Sequence, residues 1–425
     1  MIQLAPAVSL AAACPKCARP LAATGWYMPG MRVLGRARCA ECRAEYLVDL
    51  AAGQARYSPG TLDLATGAVH DPAGVEWFAR WLKESYRSRG DAPVGLEIAR
   101  YRPLTRRVLL LNCIDTLYGH AVLKLFNAQQ YIDGGEVDVI VVVQPFLRWM
   151  VPDGVAECWT VDIPLREGTM WSDGLARDIA AACAPLPDLY LAPAFSHPHP
   201  STFEVENFSR VSPFALSAWA SSDVAAVTFI WRDDRLWTGE RVQDARRTPL
   251  MSRLRGRVGG ASVSADAQRE QVVKMFDALK VTCAPLDAAV VGVGAPGGLP
   301  EWIRDMRALS PTDALEREWC GRYAASHAVV GVHGSNMLLP SAHAGSTVEL
   351  LGHDRTGNFL QDIVFNGVDA RDLHFRYRFL SPDTPPEEVA AIVAFIVRRY
   401  PDFVALMGRD QTRDPDASRE PHVRH

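Results

Sequence analysis

The sequence predicts an α/β chain: two Rossmann-like doubly wound domains facing a cleft, with a small cysteine-bearing ribbon ahead of them. Three observations predict it. Two pairs of cysteines crowd the amino-terminal end. Short, continuous apolar runs then alternate with amphipathic stretches, as buried parallel strands alternate with the helices that cover them. That alternation restarts near Ala225, so it occurs twice.

Composition agrees. A length of 425 residues suits two or three domains. A hydrophobic fraction of 48% and a charged fraction of 22% exclude wholesale disorder. A net charge of −4 argues against a chain built to coat nucleic acid. No apolar run approaches the ~18–20 residues of a membrane-spanning helix. The best run, Val137 to Val143, is interrupted by Asp138 and reads as a buried strand. Ala11-Ala12-Ala13-Cys14 only faintly resembles a lipoprotein cleavage site, since no Lys or Arg precedes it. The expectation is a cytoplasmic chain with no membrane span.

Cys14-Pro-Lys-Cys17 and Cys39-Ala-Glu-Cys42 have the two-knuckle spacing of a zinc ribbon over residues 1–50. Each turn covers one edge of a tetrahedron, giving closed four-sulfur coordination with a structural role. Zinc is the expected metal, a rubredoxin-like iron site the alternative. The metal would supply folding energy that so few large apolar groups cannot. Trp26, Tyr27, Tyr46 and Leu47 are expected to pack around the knuckles. Arg32, Arg36, Arg38 and Arg43 form a basic face, read as solvated surface.

Residues 51–104 read as a connecting segment with one helix, its apolar positions Val75, Phe78, Ala79 and Leu82 at helical spacing. Residues 105–220 form the first Rossmann-like domain, with strands at Arg107–Asp115, Val137–Gln144, Cys158–Ile163 and Asp188–Ala192. A helix is expected from Ala121 to Tyr131. Residues 221–405 form the second domain. Its strands are Ala225–Trp231, Ala288–Val293, His327–Val332 and Thr347–Leu351, and it ends in a helix from Pro386 to Arg399. Ser310-Pro311-Thr312-Asp313 reads as a capping box opening a helix, with Ser310 as cap. The basic run Arg246, Arg247, Arg253, Arg255 and Arg257 reads as a mobile loop, and residues 406–425 as a disordered tail.

In open parallel sheets, ligands bind beyond the carboxyl ends of the strands. The unusual polar residues fall there. Arg232 and Arg235 follow a strand directly, and two such forks suit both phosphates of a nucleoside diphosphate. The competing reading is a surface ladder with Asp233 and Asp234. His333-Gly334-Ser335-Asn336 follows another strand. Gly334 admits close backbone approach, Ser335 or Asn336 caps the next turn, and His333 donates to a phosphate or sugar hydroxyl. Glu349 lies on the following strand, placed to accept from ribose hydroxyls or to steady the helix end. Asp115 and His120 follow the first strand of the first domain, and either is a candidate catalytic base. Ser196-His197-Pro198-His199 reads as a surface loop rather than a metal tract.

These motifs resemble the nucleotide-sugar domain of GT-B glycosyltransferases, most closely the family-61 type. That family carries a strand followed by spaced arginines, then a His-Gly turn with Asn before a small-Ser-Thr-Val-Glu strand. Here the matching residues are Arg232 and Arg235, His333 to Asn336, and Gly345-Ser346-Thr347-Val348-Glu349. His-Gly-Ser-Asn is more compact than the family's usual turn, and the ribbon is not a usual part of the family. The resemblance implies transfer of a sugar from a nucleoside-diphosphate donor to an unknown glycan, lipid or protein acceptor, with inversion expected. Positive side chains would replace a catalytic metal, in keeping with the lack of an Asp-x-Asp motif at a strand end. Two other readings stay open: a non-catalytic module whose ribbon recruits a protein or nucleic acid, and a nucleotide-sugar epimerase.

Overall fold

The computed structural model describes residues 1–237, 260–360, 363–364 and 369–411. The basic run from Arg246 to Arg257 and the end of the expected tail lie outside these residues. The chain divides into two compact units, Met1–Arg210 and Val211–His425.

In the first unit, β1 (Ile2–Ala5) precedes the ribbon strands β2 (Leu21–Tyr27), β3 (Leu34–Cys39) and β4 (Glu45–Asp49). The antiparallel ribbon sheet does not stop there. It adds β5 (Thr61–Asp63) and β6 (Val69–His70), in the order β2-β3-β4-β5-β6. The segment expected merely to connect therefore completes the ribbon. Asp63 shows why: its carboxylate takes Lys16 of the first knuckle at 2.9 Å and caps the following turn through the amides of Ala65 and Thr66. Helix α1 (Glu76–Arg87) lays Leu82 and Tyr86 against one end of this sheet, where Leu34, Leu47, Leu62 and Trp171 form a small core, while its buried Phe78 packs under the Arg32 guanidinium. Its amphipathic spacing is the one the sequence showed.

The second sheet of this unit contains β7 (Leu96–Arg100), β8 (Arg107–Asn112), α2 (Tyr118–Phe126), α3 (Ala128–Gly134), β9 (Val137–Val143), β10 (Glu157–Val161), α4 (Asp173–Cys183), β11 (Leu189–Leu191) and the short α5 (Glu206–Ser209) as successive elements. Its order is β1-β11-β8-β9-β10-β7. The four inner strands are parallel, while β1 and β7 close the edges antiparallel. Thus β1 belongs to this sheet and not to the ribbon. The single helix expected from Ala121 is two, because the Asn127 amide donates to the carbonyls of Leu123, Lys124 and Phe195 and turns the chain there. Leu110, Val142, Trp159, Leu175 and Ile179 lie in the core beneath.

The second unit runs β12 (Ala225–Arg232), α6 (Gly260–Thr282), β13 (Leu286–Val293), β14 (Ile303–Ala308), α7 (Asp313–Ala324), β15 (Ala328–Val332), α8 (Leu338–His343), β16 (Thr347–Leu350), α9 (Ala370–Arg376), β17 (Tyr377–Leu380) and α10 (Pro386–Gln411). All six strands are parallel, in the order β14-β13-β12-β15-β16-β17. Counted along the unit this is 3-2-1-4-5-6, the doubly wound order that reverses between its first and fourth strands. Phe229, Val290 and Val330 of the sheet pack with Phe276 of α6 and Val389 and Val393 of α10. The cap of α7 is Thr312, not Ser310: its hydroxyl accepts from the Leu315 amide at 3.3 Å. Helix α10 continues through Pro401 to Gln411, past the end the sequence suggested.

Candidate functional site

The four cysteines come together. The sulfurs of Cys14, Cys17, Cys39 and Cys42 all lie within 4.8 Å of one another. Both knuckles fold alike: the Ala18 amide donates to the Cys14 carbonyl and the Arg43 amide to the Cys39 carbonyl, with Ala18 and Arg43 each at φ +57°. The same left-handed residue after each second cysteine points two loops of amides and sulfurs at one spot, which fits a tetrahedral metal. Tyr46 packs there, its hydroxyl 3.3 Å from Cys14. The other expected neighbours do not. Leu47 faces the small core under α1, Tyr27 meets Trp171, and Trp26 packs on the core of the second sheet. Arg32 leaves the basic face altogether, buried against Asp49 at 2.5 Å and over the Phe78 ring at 3.7 Å.

In the second unit, Arg232 ends β12 and His333 follows β15, so both stand at the point where the strand order reverses. A Cβ on Gly334 would lie 2.6 Å from Nη1 of Arg232 and 2.7 Å from Nη1 of Arg235. Two guanidiniums therefore converge on one glycine, which also sits at φ +147°. Arg235 donates from Nη1 to the His333 carbonyl at 2.5 Å, and Arg232 from Nη1 to Asn336 Oδ1 at 2.5 Å. The expected ladder forms in part: Asp234 takes Nε and Nη2 of Arg232, whereas Asp233 turns away to the Trp231 indole. Burial, then the neighbouring charges of Arg232 and Arg355, pull the Arg235 guanidinium down to about 10. It stays charged at neutral pH.

Neither Ser335 nor Asn336 caps. The turn Ser335–Met337 has Gly334 at its head with no side-chain cap, and Asn336 serves Arg232 instead. Its Nδ2 is buried and has no hydrogen-bond partner among the described residues. A buried donor left unmet costs about 1–3 kcal/mol, so this one suits a ligand oxygen. Glu349 is fully buried and does not reach the surface. Its carboxylate accepts from Tyr377 OH and pairs with Nδ1 of His333. It orients His333 rather than meeting a ribose itself. Arg355, on the turn His353–Asn358, and Tyr377, on β17, went unnoticed in the sequence. Arg355 follows a strand, β16, and that position was its signal.

In the first unit, Asp115 follows β8 and Ser196 and His197 follow β11, again at a reversal of strand order. Asp115 is buried and lies 2.7 Å from Nζ of Lys124, itself buried. Burial pushes the Asp115 carboxyl up, but Lys124, His120 and the amide of Leu117 outweigh it and hold the group below the usual carboxylate range. So placed, Asp115 is a poor proton acceptor. His120 is more accessible, 3.9 Å from Asp115, with its ring edge-to-face against His197 at 5.4 Å. Burial pulls it below its ordinary value against the opposing charge of Asp115, so it is neutral at pH 7. Lys124 and His197 are the partners sequence reasoning missed; Lys124 reads as an ordinary helix residue until its burial is seen.

Fold and site together define a two-unit doubly wound α/β chain carrying a four-cysteine ribbon. No family model matches it, and no curated protein does. Among solved structures it is similar to ADP-heptose lipopolysaccharide heptosyltransferase II of E. coli, at 11% identity and a TM-score of 0.34, over 69% of this chain and 99% of that one. It is also similar to the iron-containing dodecameric glycosyltransferase TibC of enterotoxigenic E. coli H10407, at 10% identity and a TM-score of 0.29, over 80% and 79%. At scores this low neither likeness bears on function. Among the described residues no helix is long and apolar enough to cross a membrane.

Proposed function

We propose that the chain is a metal-independent glycosyltransferase of the GT-B, family-61 type, moving a sugar from a nucleoside-diphosphate donor to an acceptor hydroxyl with inversion. One observation carries this reading. Arg232, Arg235 and the unmet Asn336 amide surround Gly334 at the strand-order reversal of the second unit. Three donors around a bare backbone suit the pyrophosphate of such a donor.

Arg235 and Asn336 Nδ2 take the phosphate oxygens, with Gly334 and Ser335 giving backbone room. Arg232 joins them by exchanging Asp234 for phosphate. His333, held by Glu349, presents its ring to the donor. As the glycosidic bond to the diphosphate breaks, negative charge grows on the leaving oxygen, and the fixed guanidiniums stabilise it. Within the first unit His120 is the better candidate base, neutral and partly exposed, while Asp115 and Lys124 fix the loop beside it. The ribbon's metal, read as zinc, is structural: four thiolates leave no position for substrate.

The test is thermal unfolding with a panel of nucleoside diphosphates. At least one raises the midpoint in the wild type, because a ligand that binds only the folded state stabilises it. Arg235→Ala abolishes the rise. A panel without effect sinks the reading. The bidentate Asp234–Arg232 pair favours the rival, a binding module with a merely structural ladder, and the rival predicts that flat panel.

A further inference from the structure

The ribbon sheet has one face that changes character along its length. On β3, Leu34 is buried, whereas Arg36 and Arg38, two and four residues on, are exposed. Opposite them on β4, buried Leu47 faces Arg36 and exposed Glu45 faces Arg38, so the change comes one pair later on that strand. The apolar end lies under α1; the charged end does not. What results is a cavity of about 480 Å³, lined by Arg36, Arg38 and Glu45, by Tyr27, by Tyr86 of α1 and Arg89 just past its end, and by Trp171 and Asp173. That volume is in the range of small-ligand sites.

Its chemistry is unbalanced in a specific way. Arg36 lies over the Tyr27 ring at 4.8 Å and Arg89 over the Tyr86 ring at 4.1 Å. Among the described residues neither has a carboxylate within ion-pair range, and Arg38 reaches Glu45 only at 3.9 Å. Tyr27 and Tyr86 both pack on Trp171, at 5.7 and 5.4 Å between centroids, so the aromatic wall is rigid. Tyr27 OH and the Trp171 indole both donate to Oδ1 of Asp173, which leaves Oδ2 as the acceptor the cavity offers.

We propose that this cavity binds an acidic saccharide: a sugar ring on the tyrosine wall, its carboxylate or phosphate on Arg36 and Arg89, and a ring hydroxyl donating to Asp173. Paired aromatics and cations also suit single-stranded nucleic acid. The carboxylates of Glu45 and Asp173 favour the saccharide, whose many ring hydroxyls can donate to them, over a deoxynucleotide strand, which has almost none. The choice of a saccharide rests on the transferase reading, with the cavity holding the acceptor or its flanking residues. The cations and the aromatic wall stand without it.

Calorimetric titration with tetragalacturonate, maltotetraose and an eight-residue oligo-dT tests this on the full chain. Tetragalacturonate binds, maltotetraose binds at least tenfold more weakly, and Arg36→Ala/Arg89→Ala weakens tetragalacturonate at least tenfold. The Arg36→Lys/Arg89→Lys variant keeps most of the binding, which shows that the fold tolerates change at both sites. Absence of tetragalacturonate binding, equal binding by the alanine variant, or preference for oligo-dT overturns the proposal. Nucleoside-diphosphate stabilisation is read on the same samples. Its retention alongside lost saccharide binding sinks the cavity alone, and its absence in the wild type sinks the transferase reading alone.

Discussion

Arg235 reaches from the end of β12 to the main-chain carbonyl of His333, 2.5 Å away, and so joins the two loops at the strand-order reversal. The same carbonyl belongs to the residue whose ring Glu349 holds. One hydrogen bond thereby couples the Arg235 guanidinium to the placement of the imidazole.

Gly334→Ala tests the close approach. The new methyl would meet the tips of both arginines at a φ that L side chains rarely adopt. Arginine tips move, so the fold survives with a loss of about 1–3 kcal/mol from backbone strain. Nucleoside-diphosphate stabilisation disappears. Urea unfolding and thermal shift, read side by side, separate the two effects.

Tyr377→Phe removes one of the groups held by the buried Glu349 carboxylate. An unmet buried acceptor costs about 1–3 kcal/mol. Turnover of the sugar donor falls, because His333 loses its fixed mount, and tyrosine restored by reversion recovers both. Unchanged stability and turnover would show that Glu349 is held without Tyr377.

Lys124→Met strands the Asp115 carboxylate in the core, at a cost of about 3–5 kcal/mol. Lys124→Met/Asp115→Asn recovers most of that loss, since the pair is then removed together. Additive losses in the double-mutant cycle would show that the two side chains do not interact.

Acid sensitivity has a particular source in the second unit. His327 accepts from the Ala226 amide through Nδ1 and contacts the Trp219 carbonyl through Nε2, so the neutral ring is the one that fits. Burial pulls its pKa below the ordinary value. A depressed folded pKa contributes stability that is complete above the unfolded value, about 6.5, and is lost as pH falls through the folded one. The unfolding midpoint therefore falls as pH drops below ~6.5, His120 and His197, also depressed by burial, adding to the fall, and His327→Gln makes that first decline shallower. Asp115 and Asp138 are also depressed. Their contribution goes later, below the ordinary carboxylate value of about 3.9.

Metal analysis by mass spectrometry is expected to find one zinc per chain, against iron as the alternative. A strong chelator, or Cys17→Ser, opens β2 to β4 to amide hydrogen exchange while β12 to β16 stay protected. Exchange that does not change on chelation would make the cysteine cluster metal-free in solution.

Inner strands were legible in the sequence because they are continuous apolar runs, Val137–Val143 above all. The strands missed were edges or their neighbours. β14 reads Ile-Arg-Asp-Met-Arg-Ala and β17 Tyr-Arg-Phe-Leu, with one side partly open to water, so charge interrupts the pattern. The site was legible where a residue type announced its own chemistry, as with Arg232, Arg235, His333 and the four cysteines. It was not legible where burial sets the role. In the sequence Glu349 reads as a ribose acceptor or a support for the helix end and Asp115 as a candidate base, and only their buried partners show how each carboxylate is held.

Because β1 is an edge strand beside β11 and β7 is the opposite edge beside β10, everything from the knuckles to α1 is a loop excursion from one sheet. Such an insert is tethered at two ends, unlike a tag on a string. Trimming the chain from its start to remove the cysteines would also strip an edge from the neighbouring sheet and bare β11 to adhesion. A clean excision has to be internal, splicing the end of β1 to the start of β7 across the full width of that sheet.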